Sequence, residues 1–503
     1  MKLSSQYQFV ALFSVAQSTP LHHRSDSLFI KQDNFAVQGT IWPNNSDIQF
    51  FGNIPYAEPP IGELRFRPSV TKSPSSEVIN GTWFGPSCIQ YSHGQATVYS
   101  EFLRGFLLSP GQSQSEDCLT VNIWRPEDAE AGDDLPVMIW IHGGGHTSGG
   151  AASPYKYGDR LARDQNVIVV AMNYRLNIFG YPGASALDGR NLNPGLMDQR
   201  KAVEWVFANI RAFGGDPEQM ILFGQSAGGS SVDMYTYAYP NDPLVKGFIP
   251  QSGTASDGAV PNGSNFTYVA SQVGCGNTST PDEEFECMQK ANATAIIEVY
   301  NNYNATVNDG KTLTFTTAAD NQTRFSNYTD LQTRGLFAKV PTIYSTMNNE
   351  GATLVTYIPG AKPNETAVAI SNAGFTCPAN TAALAKSSHG VPIHRVRYFG
   401  QWPNLNPLNW LGAYHSSDIP MIFGTSDLLG ADTELEKETS EYYQGAWGAF
   451  ARDPEKGLEE YYDGGWPKFE EGSLKVVELG REGVSGKVVG AGDADYGLDC
   501  GQE

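Results

Sequence analysis

The segment Met220–Ser231, MILFGQSAGGSS, changes character halfway along. Met220–Phe223 is a short apolar run of the kind that forms a buried strand, and it breaks abruptly into Gly224-Gln225-Ser226-Ala227-Gly228-Gly229 before a helical stretch. A residue on so tight a strand-to-helix turn has its side chain pushed outward, and only glycine on either side avoids a clash. Few folds offer such a turn, so this segment constrains the chain more than any other.

The neighbouring sequence repeats the alternation. Val137–Ile141 is a short apolar strand ending in a glycine-rich loop, and Val167–Met172 is a second, β-branched one. Between that strand and Met220, Leu196, Val203, Val206, Phe207, Ile210 and Phe213 recur at helical spacing, and Gly214-Gly215 stops the helix. Strand, helix and strand with glycine turns at the strand ends predict an α/β fold. Its centre is a mostly parallel twisted sheet flanked by helices, with sites at the carboxyl ends of the strands. Beyond residue 255 the chain is richer in Asn and Thr. Short strands are expected at Arg395–Phe399 and Met421–Phe423, and a helix over Glu434–Ala451 with Thr433 and Glu436 as its capping box.

Of 503 residues, 40% are hydrophobic and 17% charged, which is ordinary for a globular protein. Thirty-three Lys and Arg against 54 Asp and Glu leave a net charge of −21, which repels nucleic acid and anionic membrane surfaces. No stretch reads as a stable membrane span. Residues 1–18, with Lys2, the apolar run Phe9–Ala16 and Ser-Val-Ala at 14–16, are expected to be a signal peptide, leaving 19–503 as one catalytic domain. Glycosylation sequons at Asn44, Asn80, Asn262, Asn265, Asn277, Asn292, Asn304, Asn321, Asn327 and Asn364 fit a secreted, extracellular protein. Six cysteines fit the same compartment. Fifteen pairings are open to them, but local spacing favours Cys275 with Cys287 and Cys88 with Cys118, which leaves Cys377 and Cys500 for each other.

A serine hydroxyl becomes a nucleophile when an imidazole removes its proton, and that imidazole needs a carboxylate. Only His389, His394 and His415 follow Ser226. His394 lies in the alternating VPIHRVRYF and reads as a strand residue, and His389 sits in a polar turn. His415, in LGAYHSSDIPMIFG, is a loop residue before an apolar segment and is the favoured base. Glu350 follows the apolar segment Val340–Tyr344 and is the favoured acid, with Asp330 and Asp418 as rivals; Asp418 is only three residues from His415.

The loop IHGGGHTSGG, 141–150, has no lysine of a nucleotide-binding loop. Its His142 and His146 are separated by glycines that break the helix a metal pair would need. What it can offer is backbone N–H groups aimed at one developing oxyanion. His142 is expected to shape this loop rather than react.

Six segments in order resemble the type-B carboxylesterase family of α/β-hydrolases, which includes lipases and cholinesterases, and particularly its secreted fungal members. They are FFGNIPYAEPPIGELRFRPS (50–69), SEDCLTVNIWRP (115–126), GGGHTSGG (143–150), FGGDPEQMILFGQSAGGSS (213–231), NNEG (348–351) and GAYHSSDIPMIFG (412–424). The resemblance implies a serine carboxylic-ester hydrolase that forms an acyl-enzyme without metal or organic cofactor. It implies Ser226 as nucleophile, Glu350 as acid, His415 as base, and Gly144, Gly145 and Ala227 as oxyanion donors. It also implies the bridges Cys88–Cys118 and Cys275–Cys287, a short antiparallel region at the N-terminal side of the sheet, and a small-molecule or lipid ester as substrate. It leaves the oligomeric state unspecified.

Three departures from the family pattern bear on substrate. Residues 89–117 contain no tryptophan for a choline cation, and Gln225 stands where cholinesterases have glutamate. The Cys88–Cys118 loop instead holds VYSEFLRGFLL (98–108), which reads either as the lid of a triacylglycerol or sterol-ester lipase or as a stretch packed on the body. Only 65 residues separate Glu350 from His415, short for the family, so part of the pocket roof is expected to differ.

Overall fold

A computed structural model describes residues 28–43, 45–91, 96–303, 312–461, 464–481, 484, 488–490 and 500. The expected signal segment 1–18, Asn44 and Asn304 lie outside them. The centre is an eleven-stranded sheet whose strands, in chain order, are β1 Thr40–Trp42, β2 Asn45–Pro55, β3 Thr120–Pro126, β4 Leu135–Ile141, β5 Ile168–Met172, β6 Gly215–Gln225, β7 Gly247–Gln251, β8 Thr342–Met347, β9 Ile393–Tyr398, β10 Val476–Leu479 and β11 Val488–Gly490. Across the sheet they run β11-β10-β9-β8-β7-β6-β4-β5-β3-β2-β1. From β5 to β10 every pair is parallel, while β1, β2 and β3 join antiparallel at one edge and β11 at the other. The expected mostly parallel sheet with an antiparallel N-terminal region is therefore present.

Apolar residues run continuously along the central strands because both sheet faces are covered. Met138, Trp140, Val169, Ala171, Ile221 and Phe223 belong to one buried cluster. Their alternates Val137, Ile139, Ile141, Ile168, Val170, Met172, Met220 and Leu222 belong to another. Pleating sends successive side chains to opposite faces, so one run of sequence supplies two cores. The helix expected over 196–213 is α1, Pro194–Asn209, followed by a tighter turn Ile210–Phe213 that ends at Gly214 with φ +89°.

Met421–Phe423 corrects the sequence reading. It is the end of a short helix, Ile419–Phe423, started at Pro420 and stopped by Gly424 at φ +66°. A brief apolar run does not distinguish a buried strand from a buried helix. Pro420 in the first helical turn is tolerated because its missing N–H would have no intrahelical acceptor there. The C-terminal helix spans Glu434–Arg452, and its N-terminus carries the expected Thr433/Glu436 capping box.

All three disulfides form, with Cα separations of 5.1 Å for Cys88–Cys118, 5.6 Å for Cys275–Cys287 and 5.4 Å for Cys377–Cys500. Arg65 joins two of the sequence signatures. Its guanidinium forks onto Glu116 at 2.6 and 2.7 Å and donates to the carbonyls of Met288 and Ala291. A guanidinium is suited to this arrangement because its donors lie in one rigid plane. The result fixes the segment around Arg65, the Cys88–Cys118 loop and the helix Pro281–Lys290 to one another.

Candidate active site

Ser226 stands between β6 and α2, the helix Ala227–Ala238, with φ +60° and ψ −123°. A non-glycine residue rarely occupies this region, and holding it there costs about 1–3 kcal/mol that the surroundings must supply. They do so through the backbone: the Ser226 N–H donates to the Gln251 carbonyl at 2.8 Å, and its carbonyl accepts from Ser230. Gln225 and Ala227 are buried while Ser226 is half-buried, so the turn exposes the hydroxyl as its sequence predicts.

The glycine loop lies against this turn. A Cβ on Gly143 would come within 2.6 Å of the Gln225 carbonyl oxygen and 2.9 Å of Ser226 Cβ. Gly144 and Gly145 have φ of +111° and +63°. The Gly144 carbonyl is used by the N–H groups of Thr147 and Ser148. The N–H groups of Gly144, Gly145 and Ala227 make no hydrogen bond among the described residues. His142 stacks on Tyr174, its Nδ1 donates to the Gly143 carbonyl at 2.8 Å, and burial pushes its pKa down to about 3. His146 is likewise buried, with Nε2 3.0 Å from the Ser231 hydroxyl, and is pushed down to about 3. Both imidazoles are neutral parts of the loop's frame.

Glu350 follows β8 in the short turn Glu350–Thr353 and is fully buried. One carboxylate oxygen accepts from the Met347 N–H at 2.8 Å, and the other faces His415 Nδ1 at 2.6 Å. The rival acids stand elsewhere. Asp330 pairs on the surface with Arg334, and Asp418 accepts from Gln251 Nε2. His389 turns to the Ala385 carbonyl and His394, in β9, to that of Pro467. On the far side of the imidazole, His415 Nε2 lies 3.0 Å from the side-chain amide nitrogen of Gln225, the residue preceding Ser226.

Two contributors, Tyr99 and Phe375, were not legible in the sequence. Tyr99, in the helix Val98–Phe102, donates its hydroxyl hydrogen to the His415 carbonyl at 2.6 Å. Val98, Leu103 and Phe106 of that stretch are buried, so this part of 98–108 packs on the body beside His415. Phe375 lays its ring 4.9 Å from that of His415. Asp418 is completely buried, and desolvation, aided by the nearby Glu350 charge, raises its pKa to about 7. No periodicity marks Tyr99 or Phe375, because each reaches the site through a fold contact distant in sequence.

Comparisons with known proteins identify the family. The Carboxylesterase family profile matches residues 27–371. The chain belongs to the carboxylesterase family. It is therefore a carboxylic ester hydrolase with an α/β-hydrolase fold, whose substrate is a small-molecule ester. Over 439 residues it is 38% identical to the chlorogenic acid esterase of Aspergillus niger, covering 86% of this chain and 84% of that protein. It is 37% identical to secreted lipase 5 of Gibberella zeae over 445 residues, covering 82% of each. With acetylcholinesterase 1 of Caenorhabditis briggsae it shares 30% identity over 487 residues, covering 81% of this chain and 76% of that protein. The family match takes in the glycine loop, Ser226 and Glu350 and ends before His415, whose place rests on its 2.6 Å contact with Glu350. No helix among the described residues is long and apolar enough to cross a membrane.

The raised pKa of Asp418 has a consequence for stability. An unfolded aspartate titrates near 3.9, so between about pH 4 and 7 the folded protein holds the extra proton. Its contribution is then most favourable at low pH and is lost as pH rises through about 7, where a charge must be buried. Asp418→Asn is expected to raise the melting temperature at pH 8 and to give little or no gain at pH 4. Thermal unfolding of both proteins across that range checks the crossover; an equal shift at every pH would contradict it.

Proposed function

We propose that this carboxylesterase-family protein is a secreted serine esterase working through Ser226, His415 and Glu350. The observation that carries the reading is the buried 2.6 Å contact of Glu350 with His415 Nδ1, close to a serine on a strained strand-to-helix turn. Glu350 holds the imidazole with its proton on Nδ1, so that Nε2 carries the lone pair that acts as base. As Ser226 Oγ attacks the ester carbonyl carbon, Nε2 takes the hydroxyl proton. The tetrahedral oxyanion accepts from the N–H groups of Gly144, Gly145 and Ala227, each such donor contributing roughly 3–4 kcal/mol. His415 passes the proton to the departing alcohol oxygen, and water then hydrolyses the acyl-enzyme by the same route. The Aspergillus relative makes chlorogenic acid a natural first substrate to try.

Ser226→Ala is expected to reduce kcat on p-nitrophenyl esters at least about ten-thousand-fold, and Glu350→Gln by a comparable factor. Full activity in the alanine variant would refute the reading.

A second reading, lipase action, draws on Phe102 and Leu107, which are 40% and 41% exposed within the Cys88–Cys118 loop. With the likeness to a secreted lipase, it predicts a jump in rate as a triacylglycerol substrate passes from monomer to emulsion. A flat profile would remove it.

Secretion and glycosylation are supported by the three disulfides and by exposed sequons at Asn80, Asn262, Asn277, Asn292, Asn321, Asn327 and Asn364. Asn265 is half-buried and donates to the Thr314 carbonyl. Expressed in a eukaryotic host, the protein should leave the cell without residues 1–18 and lose mass on enzymatic deglycosylation. Intracellular retention with an unchanged mass would count against this.

A further inference from the structure

The catalytic base and the residue before the nucleophile are joined by a hydrogen bond that the reaction sequence does not use. His415 Nδ1 lies 2.6 Å from a Glu350 oxygen, and a carboxylate can only accept, so the imidazole proton is on Nδ1. Nε2 therefore carries the lone pair. The group 3.0 Å from it is the Gln225 amide nitrogen, which must be the donor. Ser226 Oγ, meanwhile, makes no hydrogen bond among the described residues. In this state the lone pair that should receive the serine proton is occupied by Gln225.

The backbone of Gln225 cannot move to relieve this. It pairs with Gln251 across β7, and its carbonyl oxygen is the atom nearest to where a Gly143 Cβ would lie. Only the side chain can swing away, and it is 96% buried, with an exposure of 4%. An amide N–H released there needs a new acceptor, because a buried donor without a partner is costly.

Resting on the triad assigned above, we propose that Gln225 is a positioning residue that sets substrate class: it holds His415 Nε2 until an ester bearing a second oxygen acceptor near its scissile carbonyl takes over the amide N–H. A hydroxyl, ether or carboxylate oxygen on the acyl or alcohol part can do this. A plain alkyl ester cannot, and its reaction leaves the amide unpartnered. The chain is thereby built for oxygenated esters over purely hydrocarbon ones of equal size.

The test compares propyl butanoate with 2-hydroxyethyl butanoate, which carries an acceptor on the alcohol side, and with propyl 3-hydroxybutanoate, which carries one on the acyl side. The wild-type enzyme should favour at least one oxygenated ester by about tenfold in kcat/KM. Gln225→Leu, close in size and without the N–H, should react faster than wild type with propyl butanoate and bring the ratio near one. Gln225→Glu, a near isostere, should retain the fold, and its carboxylate should move the acid limb of the kcat/KM profile to higher pH by favouring the imidazolium. Each variant is first titrated with a phosphonate inhibitor and the labelled residue located by mass spectrometry. Labelling absent from Ser226 in the wild type would overturn the triad itself. Normal Ser226 labelling with a tenfold preference retained in Gln225→Leu, or no preference in the wild type, would overturn the role of Gln225 alone.

Discussion

A Cβ on Gly228 would lie 2.1 Å from the Ile141 carbonyl oxygen, and one on Gly224 would lie 2.7 Å from the same atom. The strand-to-helix turn at Ser226 is thus pressed against the last residue of β4, and this close approach governs the rest of the site. It requires β4 and β6 to be adjacent and parallel, as the register Trp140 to Phe223 and Ile141 to Gly224 makes them. It also delivers two products of separate strands to one place. The loop leaving β4 brings its N–H groups, and the turn leaving β6 brings the serine. Had the pair been antiparallel, those two ends would lie at opposite edges of the sheet.

The same parallel arrangement brings in the acid. β6, β7 and β8 end together, so Gln251 receives the Ser226 N–H and Ser345 the Ser252 N–H. Glu350 then sits one short turn beyond β8. Below Ser226, Asp233 of α2 is locked by Lys386 Nζ at 2.7 Å and by the Tyr344 hydroxyl at 2.6 Å, tying the helix to β8 and to the long helix Glu365–Ser387. Removing one partner of such a buried pair leaves an uncompensated charge, which is why these anchors occur as complete sets. The net charge of −21 resides mainly outside this interior. Asp418 is a buried acidic group with no cation partner among the described residues, and its raised pKa follows from that position.

The sequence disclosed the parts of the site that are local. Strand, glycine turn and helix at 220–231 occur within one contiguous stretch, and so do the glycine loop and the capping box of Glu434–Arg452. Glu350 and His415 could be named because each occupies a loop of recognisable composition, but nothing in their spacing shows a 2.6 Å contact across 65 residues. Tyr99 was hidden for the opposite reason. An amphipathic stretch looks alike whether its apolar face covers a lipid-binding mouth or packs on the body, and only the hydroxyl bond to His415 distinguishes them. The segment at 419–423 was misread because full burial removes the alternation that would separate strand from helix.

Gln225 links the fold to selectivity by what it is not. A carboxylate beside Nε2 would attract a proton to His415 and would offer a cationic substrate a counter-charge. The amide does neither: it is uncharged and donates to the lone pair. It therefore places no charge beside His415 while competing for the atom that the proposed reaction uses. Because the turn fixes the Gln225 backbone as tightly as it fixes Ser226, that competition can be resolved only by the side chain and by what the substrate offers it. The rigidity that exposes the nucleophile thus also makes its neighbouring side chain respond to the chemistry of the ester.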